Sequence, residues 1–180
     1  GDYSLASVLL VGGVMTGGPV VVWGGVGELD VEVLHILRKM GAVVDIGEGV
    51  VSARGVFTRG VEVDLRHSPD LVMPVALAAA FVDDLSVIRG VEHLRFKESD
   101  RIETVLDVLR RLGVEAGYRE GSLYIRGPPT RSEVAFSTHG DHRVGLMAMS
   151  AARAVGGCVD DITPVAKSWP TFILYISATT

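Results

Sequence analysis

From Ser4 to Gly27 the chain carries no charged side chain. A single apolar helix of that length would reach across a bilayer. Gly12-Gly13, Gly17-Gly18-Pro19 and Gly24-Gly25 cut the stretch, and Pro19 would remove a helix hydrogen bond and clash with the turn before it. The pattern predicts a buried helix, a turn and a buried strand over Val20-Val21-Val22-Trp23. No basic segment precedes the apolar run, as a signal peptide would require. Farther on, Ile102, Val105, Leu106, Leu109 and Leu112 recur at helical spacing. Arg101, Glu103, Asp107 and Arg110 fall off that stripe, so the pattern predicts an amphipathic helix with these four on its solvent side.

The alternation repeats. Residues 35–55 align without a gap on residues 107–127, and Leu37/Leu109, Arg38/Arg110, Gly41/Gly113, Glu48/Glu120, Gly49/Gly121, Arg54/Arg126 and Gly55/Gly127 are identical. Each copy predicts a helix end, a glycine in the left-handed cap position, a strand, a turn and a second strand. A second element precedes each copy and starts near residues 1, 69 and 140, with Asp2, Asp70 or Asp141 at its second position. It continues as a helix rich in small residues (Ala76, Ala79 and Ala80; Ala148, Ala151 and Ala152) and then a short apolar strand. The small residues allow helix backbones to approach closely. Repeated units of this kind predict an α/β domain with helices layered against sheets. The three Asp residues should sit at similar ends of similar helices.

Composition narrows the function. The 180 residues suffice for one domain with a full core. A net charge of −5 and 6% aromatic residues argue against nucleic-acid binding, which uses a basic stripe. The single cysteine, Cys158, cannot form an internal disulfide and argues against a thiolate metal site. A reducing, cytoplasmic setting fits. A Gly25-x-Gly27 turn after a strand suggests a dinucleotide fingerprint, but Asp30 stands where a third small residue is needed and would repel a pyrophosphate. His139, Asp141 and His142 lie close in sequence, yet no further ligand supports a metal. Asp141 reads as a helix N-cap, and His35 and His67 as structural residues.

The segment Arg95-Phe96-Lys97-Glu98-Ser99-Asp100-Arg101-Ile102 crowds both signs of charge at a helix start. Ser99 suits the N-cap and Asp100 the first turn. Lys97 and Arg101 are cations where the helix dipole disfavours them, unless an anion lies between them and the free N–H groups. Arg143 repeats the anomaly in the following helix, and Lys167, with Ser168 after it as a possible cap, adds a third isolated cation. Convergence of Arg101, Arg143 and Lys167 would form an anion-binding face, with Glu98 close enough to exchange a proton.

These residues resemble a known family. "LRFKESDRIETVLDVLRRLG", "GDHRVGLMAMSAA", "AKSWPTF", "GDYSLASVLLVGG" and "SPDLVMPVALAAAF" are similar, in order, to segments of 5-enolpyruvylshikimate-3-phosphate synthases. The resemblance implies an enolpyruvyl-transferase-like domain of repeated βαβαββ units, an inside-out α/β barrel. It implies that residues 1–180 form a single domain, most of the C-terminal domain of a two-domain monomer whose N-terminal domain is missing here. The implied reaction moves the enolpyruvyl group of phosphoenolpyruvate to the 5-hydroxyl of shikimate 3-phosphate and releases phosphate, with no metal, cofactor, nucleic acid or membrane.

The resemblance further implies roles for single residues. Asp70 matches the proton acceptor at the shikimate hydroxyls, Lys97 the lysine beside the reacting hydroxyl, and Glu98 the acid that serves the methylene carbon. Arg101, Arg143 and Lys167 match the phosphoenolpyruvate-binding cations. Asp70, His93 and Lys97 match shikimate 3-phosphate contacts, although His93 stands where many members have Asn and Trp169 where Phe is common. The competing reading is a non-catalytic α/β domain that binds a partner; such a domain has no need of this charged set.

Overall fold

The uncharged N-terminal stretch divides at Gly17-Gly18-Pro19 but not at Gly12-Gly13, which the first helix carries in its interior; Gly24-Gly25 lies outside the described residues. Helix α1 (Tyr3–Met15) ends in a turn with Gly17 at φ 77, and strand β1 (Val20–Trp23) follows. The strand is not buried as its apolar run predicts: its side chains alternate between faces, and Val21 and Trp23 are exposed, Trp23 to 79%. The structure, a computed structural model, describes residues 3–23, 31–97 and 99–177. Helix α2 (Val31–Lys39) leads into the hairpin β2 (Val43–Gly47) and β3 (Val50–Arg54). Strand β4 (Glu62–Asp64), a 3-10 turn over Pro69–Leu71, α3 (Val72–Ala79) and β5 (Ser86–Arg89) come next. A second 3-10 turn (Glu92–Phe96) precedes α4 (Arg101–Arg111) and the hairpin β6 (Glu115–Arg119) and β7 (Ser122–Arg126). The chain continues through β8 (Ala135–Phe136), α5 (His142–Val155), β9 (Cys158–Val159), α6 (Thr163–Ser168) and α7 (Phe172–Ser177).

The strands form sheets of order β1-β3-β2, β4-β5-β7-β6 and β8-β9. The middle unit is a complete βαβαββ: β4 pairs parallel to β5, and β7 joins β5 to β6 by antiparallel ladders. The step from β4 to β5 recurs as the parallel pair β8 and β9. The helices α1, α3 and α5 touch one another at the centre, and the sheets lie outside them. Every residue of α3 is buried. Ala76, Ala79 and Ala80 on the α3 side and Ala148 and Ala151 on α5 are fully enclosed, so their small volume sets the close helix spacing. No helix among the described residues is long and apolar enough to cross a membrane.

The repeat read in the sequence reappears in the hydrogen bonds. Gly41 N–H donates to Arg38 O at 3.1 Å and Ala42 N–H to Leu37 O at 3.0 Å; Gly113 donates to Arg110 O and Val114 to Leu109 O, each at 3.0 Å. Both are Schellman closures, with Gly41 at φ 108 and Gly113 at φ 72. Thr58 and Arg59 then bond Met40 O as Thr130 and Arg131 bond Leu112 O. A Cβ on Gly113 would overlap Thr130 Oγ1, whereas one on Gly49, at φ 71, would meet nothing. Gly113→Ala is therefore expected to lower stability by about 1–3 kcal/mol, from backbone strain and overlap together. Gly49→Ala should lose only the backbone part. Denaturant unfolding of both variants checks the ranking, and equal losses would show that Thr130 does not matter.

The amphipathic reading of α4 needs one correction. Ile102, Val105, Leu109 and Leu112 are buried and Glu103 and Arg110 exposed, as the spacing predicts, but Arg101 is only 2% exposed. Its position off the apolar stripe turns it toward α5 rather than toward water, because a carboxylate waits there.

Candidate functional site

Arg101 opens α4 and Arg143 lies in the first turn of α5. A lone cation at either place opposes the helix dipole. Asp141 resolves the conflict. Its carboxylate accepts from Arg101 Nε at 2.8 Å and Nη2 at 3.4 Å, and from Ser99 Oγ at 3.1 Å. It also caps α5, accepting from the backbone N–H of Arg143 at 2.9 Å and of Val144 at 3.4 Å. Burial pushes the Asp141 carboxyl up, but the bonds and charge of Arg101, the Arg143 N–H and Ser99 outweigh it and hold it below the usual carboxylate range. The Arg101 and Asp141 side chains are 3% and 0% exposed, so the pair is a buried ion pair with its hydrogen bonds made.

The remaining end of the Arg101 fork faces Asp70. Arg101 Nη1 lies 3.9 Å from Asp70 Oδ1, and Arg143 Nη2 lies 2.9 Å from Asp70 Oδ2. Asp70 sits in the turn ahead of α3 with its side chain 44% exposed, and Arg143 is 16% exposed. Three helix starts thus meet at one node, with its buried floor at Arg101 and Asp141 and its open side at Asp70 and Arg143.

Several sequence expectations change here. Asp100, not Ser99, caps α4: its carboxylate accepts from the N–H groups of Ile102 and Glu103, while Ser99 turns to Asp141. The N–H groups expected to receive an anion are taken up by Asp100 and Asp141, so recognition of an anion falls to side chains. Asp70 does not cap its helix, unlike Asp141. Ser168 caps nothing; it ends α6 and donates back to Pro164 O at 3.2 Å. Asp2, Glu98 and the Gly25-x-Gly27 turn with Asp30 lie outside the described residues.

The other expected residues differ in burial. Lys97 is exposed at the end of the second 3-10 turn. His93 in that turn is half-buried, and its Nε2 is enclosed with no hydrogen-bond partner among the described residues. His142 is half-buried at the start of α5. Lys167 is exposed on α6, which packs on α5 where a Cβ on Gly145 would press on Val165. Among the described residues no group of three or more His, Cys, Asp or Glu could hold a metal ion.

The family model for EPSP synthase (3-phosphoshikimate 1-carboxyvinyltransferase) matches residues 1–175. The chain belongs to the EPSP synthase family. The 3-phosphoshikimate 1-carboxyvinyltransferase of Korarchaeum cryptofilum is 36% identical over 179 residues, covering 96% of this chain and 42% of the relative. That of Aeropyrum pernix is 40% identical over 182 residues, with 96% and 42% covered. The chain therefore spans well under half the length of these curated EPSP synthases. Among solved structures, an EPSP synthase from Acinetobacter baumannii superposes with a TM-score of 0.77 at 25% identity, covering 97% of this chain and 44% of that one. The enolpyruvyl transferase NikO from Streptomyces tendae gives 0.76 at 22% identity, over 98% of this chain and 42% of that one, which speaks for the fold alone. The inside-out arrangement of βαβαββ units is thus the enolpyruvyl-transferase fold. Sequence reading found the cations of the node but missed the pairing of Arg101 with Asp141. Each of the two residues was visible at a helix start, Arg101 on α4 and Asp141 ahead of α5, but they belong to different elements of the repeat, and nothing local says that those starts meet.

Proposed function

We propose that residues 1–180 supply the C-terminal half of the active-site cleft of a cytoplasmic, monomeric 3-phosphoshikimate 1-carboxyvinyltransferase, whose other wall is an N-terminal domain outside this chain. The observation that carries this reading is the clasp of the Asp70 carboxylate by Arg143 and Arg101 at the open side of a buried ion pair. Two arginines that can hold one carboxylate can hold the carboxylate of phosphoenolpyruvate, since the guanidinium fork matches that shape.

In the proposed reaction Asp70 accepts the proton of the shikimate 5-hydroxyl, and Lys97 steadies that oxygen. The oxygen bonds to C2 of phosphoenolpyruvate while Glu98 supplies a proton to the C3 methylene, giving a tetrahedral adduct. The Glu98 carboxylate then takes a methyl proton back, the C2–C3 double bond is restored, and the C2–O bond to phosphate breaks with its electron pair leaving on phosphate. Lys167 neutralises the departing phosphate as a point charge. His93 would present an imidazole where many members have an amide contact to shikimate. No step calls for a metal or an organic cofactor.

The test is phosphate release from phosphoenolpyruvate plus shikimate 3-phosphate. Release should require the chain together with the complementary half. Turnover by this chain alone would overturn the half-site reading, and no turnover with both halves would overturn the reaction.

A further inference from the structure

The loop between β8 and α5 carries Asp141 and Arg143 to the node, and it is held at three points. Ser137 Oγ donates to Asp160 Oδ2 at 2.6 Å and Thr138 N–H to Asp160 Oδ1 at 3.0 Å. Asp141 N–H donates to Thr138 O at 3.0 Å. The third point is His139, whose Nε2 lies 3.2 Å from Asp107 Oδ2 on α4. Asp107 also accepts from Arg111 Nε at 2.8 Å and has Arg110 Nη1 at 3.9 Å. Arg111 Nη1 in turn donates to Ala135 O at 2.9 Å, where the same loop leaves β8.

His139 reaches this contact from φ 51, a backbone region that a residue with a Cβ disfavours. The neighbouring Gly140, at φ 69, enters the same region freely. A side chain retained at a strained position is explained by what it holds. Asp141 grips α4 at Arg101 and His139 grips it at Asp107, six residues or about 9 Å along the helix. His139 ties the turn just ahead of Asp141 to α4, between the Arg101 grip and the Arg111 bond to Ala135 O. We propose that His139 is a positioning residue, donating from Nε2 to Asp107 so that the loop presents Asp141 to Arg101 and Arg143 to Asp70.

The contact does not depend on a charged histidine. The neutral tautomer with its proton on Nε2 donates as well, and the neighbours Arg110 and Arg111 already balance Asp107. Burial pushes the Asp107 carboxyl up, but the hydrogen bonds from Arg111 and His139 and the charge of Arg111 hold it below the usual carboxylate range.

The kinetic arm of the test rests on the proposed reaction; a second arm does not. His139→Gly removes the donor and relieves the backbone, so it keeps the fold. His139→Gln keeps a donor of similar reach. In the two-domain protein, His139→Gly should raise the KM for phosphoenolpyruvate about tenfold, the size of one hydrogen bond to a charged group, with kcat little changed. His139→Gln should recover most of the loss, and His139→Gly added to Asp107→Ala should cost nothing further. In this chain alone, amide hydrogen exchange at Arg143 and Val144, which Asp141 caps, should quicken about tenfold in His139→Gly and not in His139→Gln. An active wild type whose His139→Gly variant keeps its KM overturns the proposal. If the two-domain wild type does not turn over, the reaction assignment fails, and the exchange arm still decides: unchanged protection at both amides overturns the role of His139.

Discussion

Asp141→Ala is expected to be the most destabilising single substitution in the node. It leaves the Arg101 guanidinium, 3% exposed, without the carboxylate that accepts its Nε and Nη2. Breaking a buried pair by removing one partner costs about 3–5 kcal/mol, because the remaining buried charge loses its hydrogen-bonded carboxylate and keeps only the more distant Asp70, 3.9 Å away. The same substitution uncaps α5, worth about 1 kcal/mol more. Against a typical domain stability of about 5–15 kcal/mol, the sum threatens the folded state. Asp141→Asn keeps an acceptor for the cap but not the charge, so it should fall between wild type and alanine. Denaturant unfolding measures all three; a loss below about 1 kcal/mol for Asp141→Ala would show that Arg101 does not need its partner.

The acid limb of the stability curve tests the same pair. The native Asp141 carboxyl lies below its unfolded value, so its stabilisation is present above the unfolded pKa and is lost as pH falls through the folded one. Asp84, Asp107, Asp160 and Asp161 are shifted the same way. Wild type should therefore lose stability below about pH 4. Asp141→Asn should show a shallower fall, and the difference between the two curves isolates Asp141 from the other four.

Arg143→Ala carries the second large effect, on function rather than folding. Arg143 is half-buried at the open side of the node, and its Nη2 holds Asp70 at 2.9 Å. In the two-domain protein its loss should weaken phosphoenolpyruvate binding by about 2–5 kcal/mol, or about thirtyfold and more. Asp70 loses its close partner at the same time, so kcat should fall as well as KM rise. Arg143→Lys should recover charge but not the fork, and so only part of the affinity. Binding and steady-state kinetics separate these parts. Unchanged kinetics in Arg143→Ala would remove the residue from the site. Arg101→Ala is a poorer probe, because its buried pairing with Asp141 mixes folding with binding.

Much of this was legible in the chain. Gly41 and Gly113 marked two helix ends at one spacing, and the Thr58 and Thr130 bonds show that the repeat extends past the matched residues. The apolar run broken at Gly17 and Pro19 resolved into a helix and a strand, α1 and β1, but the strand expected to be buried exposes Val21 and Trp23. Residue type alone misplaced the helix caps. Ser99 and Asp100 are both good caps by type, and only the position of Asp141 decides that Ser99 turns away. Ser168 resembles a cap by type, but α6 had already begun before it.

The sequence by itself determined the order of elements, the repeat, the family and the identities of the cations at two helix starts, Arg101 and Arg143. Those features depend on local periodicity, backbone preference and residue type. The tertiary structure alone decided that Arg101 is buried, that Asp141 serves as both cap and counter-ion, and that Asp70 lies between two arginines. These are contacts between residues 31 to 73 positions apart, and each depends on where three separate helices come together. Local sequence sets the charge of each helix start; packing of α3, α4 and α5 decides which of those charges meet.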